Sequence, residues 1–305
     1  MDQVSADEVS FNFPPFFRVY KDGRVERTNK QVCVPPSNNP NTGVQSKDVV
    51  VSPENNVSAR LYLPQIIEKN HKFPLLVYIH GGGFAVESAF STTYDNYLHS
   101  LVAEANLVVV SIDYRLAPEH PLPVCYDDTW TVLKWITSIG VIHEPWIKFH
   151  ADYSRVFLAG DSAGANIAHD MMVRASAKEN PLGDGVKIVG MVLIHPFFGN
   201  NEPDLLWTYI SPESSGCDDP RLNPAAHPSL LRSLVCKRIQ VFTAEKDFLR
   251  DRGRTYYEAL EKSGWKGELE IMEAEGEEHV FHLNKPTCEN AGSLMKRLVE
   301  FFNQP

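Results

Sequence analysis

The feature that most constrains the fold is an alternation of two patterns along most of the chain. Short apolar runs rich in β-branched residues predict eight strands, at 49–52, 59–63, 74–80, 107–114, 155–160, 188–195, 239–244 and 268–273. Helical patterns follow from the third strand onward, near 91–105, 124–139, 163–177, 252–263 and 289–302. Strands that are apolar on both faces and alternate with helices predict an α/β fold, with an eight-stranded, mostly parallel sheet and helices on both faces.

Two segments fall outside this alternation. Residues 1 to about 45 have a helix-like start followed by "PPSNNPNTG", and residues 199–235 are rich in Pro, Ser and Asp. The sequence has no internal repeat and no linker that would separate two domains. We therefore predict a single domain over residues 1–305, in which 1–45 and 199–235 supply a small cap.

Charge and cysteine usage limit the partners and the location. The chain has 29 Lys and Arg against 39 Asp and Glu, a net charge of −10, and no basic cluster. We therefore expect neither a nucleic-acid nor a membrane partner. The five cysteines are scattered and never form a C-x-x-C pair, and the amino terminus lacks the pattern of a secretory signal. These observations predict a cytoplasmic protein, while its oligomeric state stays open.

The pentapeptide "GDSAG", residues 160–164, lies between a predicted strand and a predicted helix. Small residues on both sides of Ser162 are what a sharp strand-to-helix turn requires, because it thrusts the hydroxyl clear of the backbone. The amide of Ala163 would then face a developing oxyanion at the start of the helix. The alternative interpretation of this pentapeptide is a tight packing turn.

A second motif, "HGGGF", begins at His80 after the third strand. Consecutive glycines leave backbone amides unshielded, as an oxyanion hole needs, although such a run could also form a flexible or phosphate-binding loop. Neither the lysine of a P-loop nor a G-x-G-x-x-G helix start accompanies it. We therefore predict Gly82 and Gly83 as oxyanion-hole donors.

A nucleophilic serine needs a base, and the base needs an orienting acid. Asp247 follows the strand at 239–244, with Glu245 and Asp251 as competitors. His279 follows the strand at 268–273, and His282 is the alternative, with packing or a solvent-facing helical turn as its expected role. The order Ser162, Asp247, His279, each near a strand end, predicts a catalytic triad. It requires no metal and no organic cofactor.

With "HGGGF", "DYRLAPEHPLP" and "GDSAGAN" in this order, the chain resembles the hormone-sensitive-lipase-like branch of the α/β-hydrolases. "FRVYKDGRVER" and "TGVQSKDVVV" narrow the resemblance to the plant carboxylesterase group, which includes 2-hydroxyisoflavanone dehydratases and gibberellin receptors. The resemblance implies a serine carboxylesterase acting on small to medium apolar esters through an acyl-enzyme. It implies that Ser162 is the nucleophile, Asp247 the acid and His279 the base. It also implies that the oxyanion donors are Gly82, Gly83 and Ala163.

Two other functions remain open at this point. A dehydratase or other lyase would use the same histidine and oxyanion hole, and a receptor would bind a small molecule without turnover. The receptors of the group lose the catalytic histidine, whereas His279 is present here. The segment "NEPDLL" is shorter than in the family, so part of the cap is expected to be reduced.

The segment "DYRLAPEHPLP", residues 113–123, contains four polar residues that invite a catalytic interpretation: Asp113, Arg115, Glu119 and His120. It follows a strand and contains three prolines, which restrict the backbone. We predict that it forms a buried polar scaffold beneath the site, with Asp113 paired to Arg115.

Overall fold

The computed structural model describes residues 8–28, 31–66, 71–138, 144–177, 179 and 182–304. Within these ranges the strands, numbered in chain order, are β1 Val9–Phe13, β2 Phe17–Tyr20, β3 Val25–Arg27, β4 Gln45–Ser52, β5 Val57–Leu63, β6 Phe73–Ile79, β7 Val108–Asp113, β8 Ala151–Asp161, β9 Ile188–Ile194, β10 Arg238–Ala244 and β11 Glu268–Ala274. The helices are α1 Thr92–Ala105, α2 Val124–Thr137, α3 Pro145–His150, α4 Ala163–Ser176, α5 Leu205–Ile210, α6 Pro228–Arg232, α7 Arg250–Ser263, α8 Phe281–Asn284 and α9 Glu289–Asn303.

The eight strands β4 to β11 form one sheet in the order β11-β10-β9-β8-β6-β7-β5-β4. The two pairs that involve β5, with β4 and with β7, are antiparallel, and the other five pairs are parallel. The predicted eight-stranded, mostly parallel sheet is therefore confirmed. Right-handed crossovers through helices are the usual way in which such parallel strands are joined.

Helices cover both faces of this sheet because successive side chains of each buried strand point to opposite faces. In β6, Leu75 and Val77 belong to the apolar cluster that includes α2 and α4, whereas Leu76 and Tyr78 belong to the cluster that includes α1 and α9. All four side chains are fully buried. The continuous apolar runs in the sequence are thus the strands that are covered on both sides.

The amino-terminal segment differs from the sequence-based expectation. The helix-like start falls partly on residues 1–7, outside the described residues, and from Val9 the chain forms the antiparallel sheet β1-β2-β3. Aromatic residues account for the difference, because Phe11 and Phe13 alternate with polar residues and pack with Phe17. This alternation fits a strand with one apolar face, and the helix-like interpretation was wrong for this part.

The carboxyl ends of the parallel strands meet at one edge of the sheet. The glycine run 81–83 follows β6, Ser162 follows β8, His195 follows β9, Asp247 follows β10 and His279 follows β11. An open parallel sheet places functional residues at this edge, where the loops after neighbouring strands converge. No helix in the described ranges is long and apolar enough to cross a membrane.

Candidate active site

Ser162 lies on the turn between β8 and α4 in a strained backbone conformation. Its φ of 52° and ψ of −118° are outside the regions that non-glycine residues usually occupy. The amide of Ser162 donates to the Ile194 carbonyl oxygen at 2.8 Å, and its carbonyl accepts from the Phe197 amide at 2.9 Å. The last residue of β9 and the loop that follows it therefore hold the turn from both sides.

The two glycines of the pentapeptide are required by close backbone contact. A Cβ atom on Gly164 would lie 2.0 Å from the Ile79 carbonyl oxygen, and one on Gly160 would lie 2.4 Å from the carbonyl carbon of Gly164. Helix α4 thus crosses strand β6 at a distance that leaves no space for a side chain. The spacing of small residues in "GDSAG" is explained by this crossing.

A continuous chain of hydrogen bonds joins Ser162, His279 and Asp247. The serine Oγ lies 3.0 Å from His279 Nε2, and His279 Nδ1 lies 2.8 Å from Asp247 Oδ2. The neutral imidazole that fits this arrangement carries its proton on Nδ1 and accepts the serine proton at Nε2. The Asp247 side chain is fully buried, and its other oxygen accepts from the Leu249 amide at 2.8 Å.

The competitors from the sequence lie elsewhere. Glu245 accepts a hydrogen bond from the Gly276 amide at 2.7 Å, and Asp251 is exposed on α7. His282 is buried in α8, where neither ring nitrogen has a partner among the described residues. Burial, together with the neighbouring His279, lowers the pKa of His282 to about 3. The expected packing role fits His282 better than the solvent-facing one.

The glycine run after β6 forms a tight loop beside Ser162. Gly82 and Gly83 have φ values of 95° and 57°, and the Gly82 carbonyl accepts from the amides of Ala85 and Val86, both at 3.0 Å. The amides of Gly82 and Gly83 donate no hydrogen bond within the described part of the chain. Ala163, the first residue of α4, also has an amide that the helix itself leaves without an acceptor.

Two tyrosines and Asp161 support this loop from below. The Gly81 amide donates to the Tyr94 hydroxyl at 2.7 Å, and that hydroxyl donates to Asp161 Oδ2 at 2.9 Å. The Tyr78 hydroxyl donates to the other oxygen of Asp161 at 2.9 Å. Burial raises the pKa of Asp161 to about 6, against the opposing effect of these two hydroxyls. The residue before the nucleophile is thus linked to the glycine loop.

The segment 113–123 lies under the same loop, where the Tyr114 hydroxyl contacts the carbonyls of His80 and Gly81. Two expectations for it were wrong: Glu119 and His120 are exposed rather than buried, and Asp113 does not pair with Arg115. Asp113 accepts hydrogen bonds from the Ser88 hydroxyl at 2.6 Å and the Ala89 amide at 3.0 Å. Arg115 instead forms an ion pair with the buried Asp128, at 2.7 Å. Helix α2 brings Asp128 to the guanidinium in a geometry that accepts several of its N–H groups.

A cavity of about 220 Å³ opens in front of Ser162. Its wall is mostly apolar. The side chains come from β1 and the turn after it, from α5 and α8, and from loops of the main sheet: Phe13, Phe16, Leu206, Leu283, Phe197 and Phe248. The sequence alone does not reveal these residues, because nothing in the local pattern distinguishes an aromatic residue that lines a cavity from one in the core. Glu87 and Gln31 add polar groups to the same wall.

One cluster within the described ranges has the residue types of a metal site: His195, Asp247 and His279, whose ligand atoms lie within 4.8 Å of one another. The hydrogen bonds argue against metal binding. His279 and Asp247 already engage each other, and His195 Nδ1 accepts from the Val280 amide at 2.9 Å. Since that bond places the ring proton on Nε2, neither nitrogen of His195 keeps a free lone pair.

Comparisons with known proteins agree with this architecture. A family model described as alpha/beta hydrolase fold matches residues 76–205 and 197–283. Among solved structures, the chain is similar to a hyperthermophilic esterase from the archaeon Pyrobaculum calidifontis, with a TM-score of 0.68 and 26% sequence identity over 85% of each chain.

Two curated plant proteins match almost the whole chain. The sequence is 46% identical over 322 residues to probable carboxylesterase 13 of Arabidopsis thaliana, and the alignment covers 96% of this chain and 98% of that protein. It is 42% identical over 321 residues to 2-hydroxyisoflavanone dehydratase of Glycyrrhiza echinata, and this alignment covers 98% of this chain and 97% of that protein. Proteins named as a probable carboxylesterase and as a dehydratase thus both occur among these relatives.

Proposed function

Since the chain belongs to the plant carboxylesterase group of the α/β-hydrolases and is a carboxylic ester hydrolase, we propose that Ser162, His279 and Asp247 are its catalytic triad. The single observation that carries the proposal is the unbroken line of two hydrogen bonds from the serine hydroxyl to the buried carboxylate. Nucleophile, base and orienting acid are each within the reach that proton transfer needs.

In the first half of the reaction, Ser162 Oγ attacks the ester carbonyl carbon and its proton passes to His279 Nε2. Asp247 accepts the Nδ1–H bond, keeps the ring in this orientation and stabilises its charged form. The imidazolium then gives its proton to the departing alkoxide, and the alcohol leaves. The acyl group remains on Ser162 as an ester.

In the second half, a water molecule attacks the acyl-enzyme while His279 takes a proton from it. The tetrahedral intermediate collapses, the proton returns to Ser162 Oγ, and the carboxylic acid leaves. Both tetrahedral intermediates carry a negative oxygen, which the amides of Gly82, Gly83 and Ala163 would bind. Hydrogen bonds from preorganised amides stabilise the oxyanion more than hydrogen bonds from water do, because the amides need no reorientation during the reaction.

We infer the substrate class from the cavity. A volume of about 220 Å³ with a mostly aromatic and aliphatic wall suits a small to medium apolar acyl or alcohol group. Esters of plant specialised metabolites fit this description. No cofactor takes part in this chemistry, and we propose no nucleic-acid or membrane partner.

The experiment that tests the proposal is hydrolysis of p-nitrophenyl acetate, butyrate and octanoate by the purified chain and by Ser162→Ala. We expect the wild type to release p-nitrophenol and the variant to be inactive. Equal hydrolysis by both proteins would refute the triad, and a folded wild type without any hydrolysis would refute the esterase proposal.

A second candidate function has one observation in its favour: a relative that is 42% identical over nearly the full chain is named as a 2-hydroxyisoflavanone dehydratase. In that reaction class His279 would remove a proton beside a carbonyl, and the oxyanion hole would stabilise the enolate. Rapid quenching followed by mass spectrometry distinguishes the two. An acyl group on Ser162 supports hydrolysis, and loss of water from a substrate without such an adduct supports elimination.

We also propose that the whole chain is one domain, with a cap formed by the segments 1–45 and 199–235. Packing of β1 against α5 over the cavity supports this. A cytoplasmic location is our further proposal, supported by five cysteines that are all free. Limited proteolysis tests the first proposal, and fluorescence imaging of a tagged chain in plant cells tests the second.

A further inference from the structure

His195 occupies a position that connects three parts of the candidate active site. It directly follows β9, and its amide donates to the Phe242 carbonyl oxygen of β10 at 2.9 Å. The preceding residue, Ile194, accepts the amide proton of Ser162. His195 is therefore fixed to the nucleophile turn on one side and to the strand that leads to Asp247 on the other.

The ring of His195 contacts the loop that carries His279. The Val280 amide donates to His195 Nδ1 at 2.9 Å. Val280 has a φ of 48°, a left-handed conformation that a β-branched residue strongly disfavours. A strained residue directly after His279 persists only where its surroundings hold it in place. The hydrogen bond to His195 is such a restraint on the backbone next to the base.

The environment of His195 keeps this acceptor available. The residue is 1% exposed, and burial lowers its pKa well below the usual value, with neighbouring His282 and His279 acting in the same direction and Asp247 against it. A neutral ring that accepts at Nδ1 carries its proton on Nε2. That nitrogen has no partner among the described residues, so the Val280 bond is the ring's one hydrogen bond there.

We propose that His195 is a positioning residue for the hydrolytic reaction: its imidazole accepts the Val280 amide and thereby holds the His279 ring between Ser162 and Asp247. The inference rests on the function proposed above. His195 does not touch the reacting atoms, and its effect passes through the loop backbone. A group misplaced by about 1 Å costs roughly 10²-fold in rate, so a restraint of this kind matters for turnover.

Two substitutions of His195 by residues with amide side chains, Asn and Gln, distinguish this role from a packing role. In His195→Asn the side-chain oxygen is bonded to Cγ, close to the place of Nδ1, and Asn readily adopts a left-handed backbone such as the φ of 48° found here. In His195→Gln the amide reaches further, to the place of Nε2, and leaves the Val280 amide without its acceptor. The matched control is His282→Leu, which removes an equally buried histidine that contributes no hydrogen bond among the described residues.

We expect His195→Gln to lower kcat for p-nitrophenyl butyrate by roughly 10²-fold with little change in KM, since the loss is one of base alignment. His195→Asn should recover most of kcat, and His282→Leu should keep it. The rate at which a phosphonate inhibitor modifies Ser162 should follow the same order. Thermal melting establishes the folded fraction, by which each kcat is normalised.

Two results would overturn the proposal. One is a kcat for His195→Gln equal to that of the wild type. The other is equal impairment of the Asn and Gln variants in proportion to their lost thermal stability, which is the mark of a packing role. Ser162→Ala, measured in parallel, distinguishes these results from a failure of the proposed function, because an active Ser162→Ala would refute the triad itself.

Discussion

The ring of Phe11 stacks on the ring of Tyr209, with centroids 3.6 Å apart and planes inclined by 4°. This contact joins strand β1 to helix α5, two elements that are nearly 200 residues apart in the sequence. Neighbouring residues of the same elements, Phe13 and Leu206, line the cavity in front of Ser162. The aromatic contact therefore links the amino-terminal sheet to the wall of the substrate pocket.

Replacing Tyr209 by Ala should loosen this wall. An aromatic pair contributes roughly 0.5–1.5 kcal/mol beyond the burial of its area, so we expect KM for p-nitrophenyl octanoate to rise about twofold to thirteenfold. The acetate ester, which is too short to need the whole wall, should be hydrolysed with little change. Steady-state kinetics on both esters gives the comparison.

The control for Tyr209→Ala is Val50→Ala, an exposed apolar residue on β4. It should alter neither KM. If Tyr209→Ala changes kcat for acetate as strongly as KM for octanoate, the contact supports the catalytic residues rather than the pocket wall.

Asp247→Asn tests the acid of the triad. The amide cannot hold the imidazole in the tautomer that accepts at Nε2, and the corresponding change in a serine protease lowers kcat by about 10⁴-fold. We expect a loss of similar size here, with Ser162→Ala at least as severe. Asp251→Asn, an acid exposed on α7, should retain wild-type turnover. An Asp247→Asn variant with more than a tenth of wild-type kcat would contradict the assignment.

Gly82→Ala tests the oxyanion loop. The new Cβ atom would lie 2.2 Å from the Val86 carbonyl oxygen, at a residue whose φ is 95°, so the loop must shift. Loss of a single oxyanion donor costs about 10² to 10³ in kcat, and we expect a loss in that range with KM less affected.

Gly185 offers a matched control for Gly82. Its φ is 83°, but a Cβ atom there would have nothing within 4 Å. Gly185→Ala therefore imposes similar backbone strain without a collision near Ser162. It should lower the melting temperature slightly and leave kcat unchanged. Equal losses of kcat in the two variants would assign the Gly82 effect to strain alone.

Buried histidines should make the fold sensitive to acid. Burial lowers the pKa of His169 and His282 to about 3, so the unfolded chain binds protons that the folded chain does not as the pH falls below about 6.5. Above that pH these histidines are neutral in both states, and the stability of the fold is lost progressively as the pH falls toward 3. Asp161, whose pKa burial raises to about 6, acts in the opposite direction. Burial also lowers the pKa of His80, His99 and His195, and it raises the pKa of Glu87 and Asp170. Since five such histidines oppose three such carboxyls, we expect net destabilisation on acidification.

His282→Leu should reduce this sensitivity. The variant removes two buried nitrogens that have no partner among the described residues, so its melting temperature near neutral pH should equal or exceed that of the wild type. Between about pH 7 and pH 5 its melting temperature should fall less than that of the wild type. His120→Leu, at an exposed position, serves as the control. An unchanged acid dependence in His282→Leu would contradict the prediction.

The sequence by itself determined the central sheet and the chain order of the candidate site. Runs that are apolar on both faces and lie between helical patterns are buried in a parallel sheet that helices cover on both sides. The carboxyl ends of such strands meet at one edge. Ser162, Asp247 and His279 each follow a strand, so their proximity was predictable from local patterns alone. The glycines of "GDSAG" were predictable for the same reason, because the turn that they occupy is local.

Tertiary structure alone decided the contacts between segments that are distant in the chain. Arg115 pairs with Asp128 and not with Asp113, because the position of α2 determines which acid reaches the guanidinium. The ring of His195 meets the Val280 amide only because the loops after β9 and β11 converge. Side-chain partners and cavity walls depend on such packing of remote segments, whereas periodicity in a sequence reports only on the burial of each segment by itself.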